Sequence, residues 1–194
     1  MEGPWREADL GAAPLWRVRE GEGDLDAALA AKGFARRDPT RTWWAPVGAL
    51  APDRPERLTG FAIWPPVAVM RDMWAEGGIG PARLAVMERA AEPRAALLAR
   101  LADRPAGAAF VAAVGPVAAV HAIEVPPRLR RRGAGRLLLR HAAWWAGERG
   151  ATHLALAVTE ANAPASALYA GMGMTRGPGY HYRVLKEASP CPPR

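Results

Sequence analysis

Residues 120–136 read Val120-His121-Ala122-Ile123-Glu124-Val125-Pro126-Pro127-Arg128-Leu129-Arg130-Arg131-Arg132-Gly133-Ala134-Gly135-Arg136. The stretch opens on apolar residues, is broken by Pro126-Pro127, and runs through arginines into Gly133-Ala134-Gly135. This predicts a strand, a short Pro/Arg loop and a helix that starts at Gly-x-Gly. A helix N-terminus offers backbone N–H groups without intrahelical partners, and the aligned peptide dipoles add positive potential. Together they make an anion site. Gly133 and Gly135 remove side chains where a pyrophosphate must approach the backbone. Arg128, Arg130, Arg131, Arg132 and Arg136 add bidentate donors. Taken alone, the pattern also fits a tight turn followed by a solvated charge run. It is not a Rossmann fingerprint, because Leu138 stands where the third glycine belongs, and it is not a P-loop, because no Gly-Lys-Ser/Thr follows.

Outward from this segment, Gly107–Val114 and Pro116–Val125 read as apolar strands joined at Gly115. Gly135–Arg149 reads as a helix with Leu138, Ala142 and Trp145 on one face. Thr152–Thr159 alternates, with Leu154, Leu156 and Val158 on one side, as a strand does. Pro164–Met172 is a short helix capped by Asn162 or Ala163, and Tyr180–Leu185 a final strand. The earlier half is less sharply patterned. It gives a strand at Leu15–Arg19, a helix at Asp24–Lys32 capped by Asp24 and ended by Gly33, and a strand at Phe34–Ala45. A loop at Pro46–Thr59 and a strand at Phe61–Val69, interrupted by Pro65-Pro66, follow. Pro81–Ala91 and Pro93–Leu101 read as two helices, each with proline in its first turn.

Arg130-x-x-Gly133-x-Gly135 resembles the Gln/Arg-x-x-Gly-x-Gly/Ala motif of the GCN5-related N-acetyltransferases, the GNAT family, and Val125-Pro126-Pro127 resembles the end of the strand before it. Some thirty residues on, Asn162-x-x-Ala165-x-x-Leu168-Tyr169-x-x-x-Gly173-Met174 resembles that family's next motif, with Met174 where Phe is usual. Two motifs in order, separated by a helix and a strand, are far more specific than either alone. The resemblance covers roughly residues 105–185; residues 1–100 match loosely and would form the acceptor side. It implies an α/β (α+β) fold over residues 1–187: a mixed, mostly antiparallel sheet flanked by helices. In it the parallel strands Pro116–Val125 and Thr152–Thr159 splay apart to admit the pantetheine arm of acetyl-CoA. It also implies that backbone groups of Ile123 and Val125 pair with pantetheine. The amides from Arg131 through Arg132, Gly133, Ala134 and Gly135 to Arg136 would hold the pyrophosphate.

Acetyl transfer needs a neutral amine, and aliphatic amines have a pKa near that of Lys, about 10.4, so a base helps. The departing thiolate benefits from an acid. Tyr169 is the acid candidate by the resemblance; core packing is its alternative role. His121 and Glu124 are the base candidates. His121-Ala122-Ile123-Glu124-Val125 resembles the His-Ala-Leu-Ala-Val strand of serotonin N-acetyltransferase, whose histidine acts as base through water. Strand alternation puts His121, Ile123 and Val125 on one face and Glu124 on the other unless a bulge intervenes, which favours His121. His121 could equally be a buried, hydrogen-bonded histidine, and Glu124 a structural or acceptor-orienting carboxylate. Asn162 could contact the cofactor or cap its helix. Trp43, Trp44, Trp64 and Trp74 read first as core and second as acceptor walls.

The whole chain sets outer bounds. Its 194 residues, half of them hydrophobic, are globular composition. The formal charge is +7 and nearly all the cations are arginine, which GC-rich coding and an anion site would both produce. The arginines beside the glycine motif favour the second. A sequence pI of about 10.6 raises nucleic-acid binding, but no aromatic-interleaved basic repeat accompanies it. The only cysteine, Cys191, lies in a Pro-rich tail expected to be disordered at Ala188–Arg194. The histidines His121, His141, His153 and His181 have no zinc-type spacing, so no metal is expected. Without a long apolar run or a signal-type start, a cytoplasmic protein with no membrane partner is expected. The functional expectation is an N-acetyltransferase (acyltransferase) acting on a primary amine of open class, with a homodimer allowed. The alternative is a catalytically weak acetyl-CoA-binding or sensor module of the same fold.

Overall fold

The structure is a computed structural model and describes residues 15–185, so the expected tail and Cys191 lie outside the described residues. The chain divides into two compact units. The first takes in the chain up to Thr42, residues Val158–Ala163 and the chain from Gly177 onward. It contains β1 (Leu15–Arg19), α1 (Gly23–Ala31), the first part of β2 (Phe34–Pro46) and most of β8 (Thr175–Leu185), with strand order β1-β8-β2. β1 and β8 are antiparallel, from Leu15 opposite Val184 to Arg19 opposite Tyr180. Arg41 bridges Glu20 and Glu160 at 2.8 Å each. Asp26 accepts from Arg183 at 2.7 Å and lies 2.6 Å from His181, contacts that hold its carboxyl well below the usual carboxylate range. Asp24 is not the cap of α1: the helix begins at Gly23, and the cap position, Glu22, instead accepts from the backbone N–H and guanidinium of Arg19.

The second unit spans Trp43–Ala157 and Pro164–Arg176. Its strand order is β2-β7-β6-β5-β4-β3, with β3 Gly60–Ile63, β4 Arg94–Leu101, β5 Arg104–Val114, β6 Val117–Glu124 and β7 His153–Thr159. β3 to β6 are paired antiparallel, and β6 with β7 is the parallel pair. Helices α2 (Val47–Leu50), α3 (Ala68–Glu76), α4 (Pro81–Arg89), α5 (Ala134–Gly147) and α6 (Ala163–Ala170) complete it. The mixed, mostly antiparallel sheet flanked by helices is the expected fold class.

Two expected elements are corrected. Pro93–Leu101 is a central strand, not a helix. Ala95–Ala99 are all buried, so the run has no polar face and no period of 2 to betray it. Phe61–Val69 is not one strand either: β3 stops at Ile63, and α3 begins at Ala68. On one face of the sheet, Met70, Met73 and Trp74 of α3 and Met87 of α4 form a core with Ala96, Leu98, Ala108 and Phe110. α5 packs on β3, β4, β5 and β6 through its buried stripe, which includes Leu138, Leu139, Ala142 and Ala146. Trp43 and Trp74 are buried core residues, as expected first for the tryptophans; Trp64 is half-buried edge-on to Phe110 at 5.5 Å, and Trp44 is exposed.

Candidate active site

β6 and β7 pair over only three residues each, Val117–Ala119 opposite His153–Ala155. Both strands run on past that point, β6 to Glu124. The parallel pair therefore parts after Ala119, and β6 borders the opening as far as Glu124. Two strands that separate expose backbone groups a ligand can pair with as an added strand would.

β6 also carries a bulge. Phe110 stands opposite His121, but Ala108, two residues back, stands opposite Glu124, three residues on. The extra residue takes Ala122 to φ +53°, a region that costs a residue with a Cβ about 1–2 kcal/mol. Trp74 Nε1 donates to the Ala122 carbonyl at 2.8 Å, a bond that offsets roughly 1 kcal/mol of that cost. Residues directly opposite each other on paired strands share a face. Because Ala108 and Phe110 share one face of β5, His121 and Glu124 share one face of β6. The expectation that strand alternation separates them is thus overturned: the extra residue shifts the alternation by one. The side contacts agree. The His121 ring sits 4.8 Å from that of Phe110, and the Glu124 carboxylate lies against Gly77 at the end of α3.

The two groups differ electrostatically. Burial, reinforced by the Arg83 charge, lowers the His121 pKa to about 4, so the imidazole is neutral at pH 7. Its Nδ1 is buried without a hydrogen-bond partner. Glu124 is mostly buried, and the Arg130 guanidinium reaches it loosely at 3.4 Å. Tyr169, on α6, is 5% exposed, packs at 6.0 Å from the Trp43 ring, and burial pushes its pKa up to about 12. Its hydroxyl keeps its proton throughout the physiological range.

The glycine turn has the geometry of an anion cradle. Gly133, at the cap position of α5, has φ +91°, and Arg131 has φ +62°. Backbone that changes hand in this way turns successive N–H groups toward one point. No side chain caps α5, so the N–H groups of its first turn remain available to an anion. Arg131, Arg132 and Arg136 are exposed around the turn, and Ala134 is buried. Gly135 has a second reason to be glycine: an added Cβ would lie 3.0 Å from Leu168 of α6. Arg130 folds back, its Nε donating to the Val125 carbonyl at 2.9 Å. Asn162 falls in the first unit, where its N–H donates to Thr159 at 3.0 Å.

A sequence profile of the acetyltransferase (GNAT) family matches residues 68–174, more than half of the chain. The chain belongs to the GNAT family. The match takes in the splayed strands, the glycine turn and Tyr169. Streptothricin acetyltransferase of Streptomyces lavendulae is 45% identical over 82 residues, 36% of this chain and 42% of that protein. The chain thus spans less than half of that relative's length. A GCN5-related N-acetyltransferase from Kribbella flavida superposes with a TM-score of 0.64 at 20% identity, over 93% of this chain and 71% of that one. A second, from Sphaerobacter thermophilus, gives 0.62 at 16% identity, over 89% and 59%. At these identities the superpositions show the shared fold. Among the described residues no cluster of His, Cys, Asp or Glu could hold a metal, and no helix is long and apolar enough to cross a membrane.

Sequence reasoning missed α3, and with it Gly77 and the contact that Trp74, expected first as core, makes to β6. The signal was present in Met70, Met73 and Trp74, spaced i, i+3, i+4, ahead of Gly77-Gly78. Arg83, which acts on His121 through space, left no sequence signal.

Proposed function

We propose that this protein is an N-acetyltransferase that moves the acetyl group of acetyl-CoA to a primary amine by direct attack in a ternary complex. The observation that carries the reading is the parting of β6 and β7 after Ala119, beside the uncapped Gly133 turn. This combination fits a ligand with a strand-like arm and a pyrophosphate. Bound acetyl-CoA supplies the thioester: the amine nitrogen bonds to the acetyl carbon and the carbon–sulfur bond breaks. Ile123 and Val125 would pair with the arm, and the amides from Arg131 to Arg136 would hold the pyrophosphate. Glu124 is assigned the proton of the attacking amine, directly or through water, because it is a carboxylate on the face His121 shares. His121, neutral and weakly basic, is assigned a hydrogen bond to that water or amine. Tyr169, protonated up to about pH 12, donates a hydrogen bond to the leaving sulfur as charge develops on it and passes it a proton, which the tyrosinate recovers from solvent.

Similarity to streptothricin acetyltransferase makes streptothricin the first acceptor to try, followed by polyamines, aminoglycosides, amino acids and peptides. Calorimetry is expected to show acetyl-CoA binding, and a thiol-release assay to show amine-dependent CoA formation. Absence of binding would refute the reading. Binding without release across all these amines would favour the sensor alternative. Tyr169→Phe is expected to lower kcat about tenfold or more and leave acetyl-CoA affinity unchanged, because the hydroxyl is needed only as charge develops on sulfur. Wild-type turnover in that variant would make Tyr169 a packing residue against Trp43.

A further inference from the structure

We propose that Trp74 and Gly77, one turn apart at the end of α3, are positioning residues for Glu124; the proposal rests on the reading of Glu124 as the proton acceptor. Without the bulge at Ala122, alternation would turn Glu124 to the opposite face of β6. That face is packed: Gly107 there lies near Leu138 of α5 and Val125. The bulge holds Ala122 in a backbone conformation unfavourable for alanine, φ +53°. The group that fixes it is the Trp74 indole, whose N–H donates to the Ala122 carbonyl at 2.8 Å. Trp74 is fully buried, clamped among Met70, Met87, Ala108 and Phe110. Its ring cannot swing away, so neither can the carbonyl.

Gly77 acts on the carboxylate itself. A Cβ there would lie 2.5 Å from Glu124 Cδ and 2.6 Å from Oε2, closer than side chains tolerate. Conformational freedom is not the reason for glycine at 77, since its φ of −83° is open to any residue. The missing side chain is space, and Glu124 occupies it. One helix end thus sets both the direction of the Glu124 side chain, through the backbone, and its seat. Arg83, whose charge bears on His121, and Arg130, 3.4 Å from Glu124, are the cations facing the pair, and Glu76 is occupied by Arg128 at 3.4 Å.

The test uses the full chain with Trp74→Phe, which keeps a ring but loses the donor, and Gly77→Ala, which adds one methyl. Acetyl-CoA affinity is expected to stay within about twofold in Gly77→Ala, which touches neither the glycine turn nor the β6 backbone; Trp74→Phe, which frees the backbone beside Ile123, is expected to weaken it as well. The amine kcat/KM is expected to fall by about 10²-fold, the scale of an ångström-size misplacement, mostly in kcat. The carboxyl ¹³C chemical shift of Glu124, read by NMR at one fixed pH, is expected to move in both variants. If Trp74→Phe fails to fold, Gly77→Ala decides alone, since its backbone is unstrained. A Glu124 carboxyl chemical shift in Gly77→Ala identical to the wild type would overturn the proposal. If the wild type transfers acetyl to no amine, the functional reading fails, and the NMR arm still decides whether α3 positions Glu124.

Discussion

Glu124→Gln is expected to lower kcat/KM for the amine by about 10²–10⁴-fold at and above neutral pH, the usual worth of a general base, with acetyl-CoA binding unchanged. His121→Gln is expected to cost much less above pH 5. The reason is the imidazole's environment. Burial and Arg83 bring its pKa to about 4, far below the ordinary value near 6.5. Any inflection due to His121 therefore lies near pH 4, not near neutral as an unperturbed histidine would give. Above pH 5 the neutral ring is already present, and taking a proton would place a new positive charge in a buried site under the influence of Arg83, whereas a carboxylate that takes a proton loses charge. His121→Gln is expected to erase only the low inflection and leave the profile above it parallel to the wild type. If His121→Gln instead gives the large loss and Glu124→Gln is nearly silent, the assignment of the proton is reversed.

The same burial sets a control for those rates. His121 and His141 are both held neutral by desolvation, so protons bind more readily to the unfolded chain. Their contribution to stability is fully present above about pH 6.5 and is lost as pH falls toward the folded-state values. Circular dichroism at each low-pH point separates loss of the base from loss of the fold.

Much of the segment around the glycine turn was readable because its signals are local. Gly133 and Gly135, the arginines beside them and the Asn162-to-Gly173 spacing each follow from what one turn or one helix start requires. The elements before β5 were harder because their determinants are tertiary. Ala95–Ala99 read as a helix because a strand buried on both faces has no alternation. α3 was hidden behind Trp64-Pro65-Pro66, where the proline pair masked the start of a helix. The bulge has no composition signal at all: Ala122 is not a glycine, and its positive φ is held by an indole forty-eight positions away in sequence. A residue's face, and so the choice between His121 and Glu124, depended on that single unseen residue shift.

Gly135→Glu is expected to reduce acetyl-CoA affinity by about 10³-fold. A carboxylate on the first turn of α5 would stand close to the pyrophosphate position, and two like charges roughly 4 Å apart repel by about 4 kcal/mol at an effective dielectric constant near 20. It would also oppose the helix dipole's attraction for the anion. The structure adds a complication, because any Cβ at 135 lies 3.0 Å from Leu168 Cδ2, the far end of a flexible side chain. Gly135→Ala therefore measures the steric part alone. That variant is expected to cost a few degrees of melting temperature at most and less than about tenfold in affinity, as Leu168 shifts by a few tenths of an ångström. The electrostatic part is the difference between the two variants, and it should shrink as salt is raised, because an exposed turn is screened within about 10 Å at 0.1 M ionic strength. Equal losses from Ala and Glu, insensitive to salt, would mean that position 135 serves only the packing of α5 on α6, and that the anion is held elsewhere.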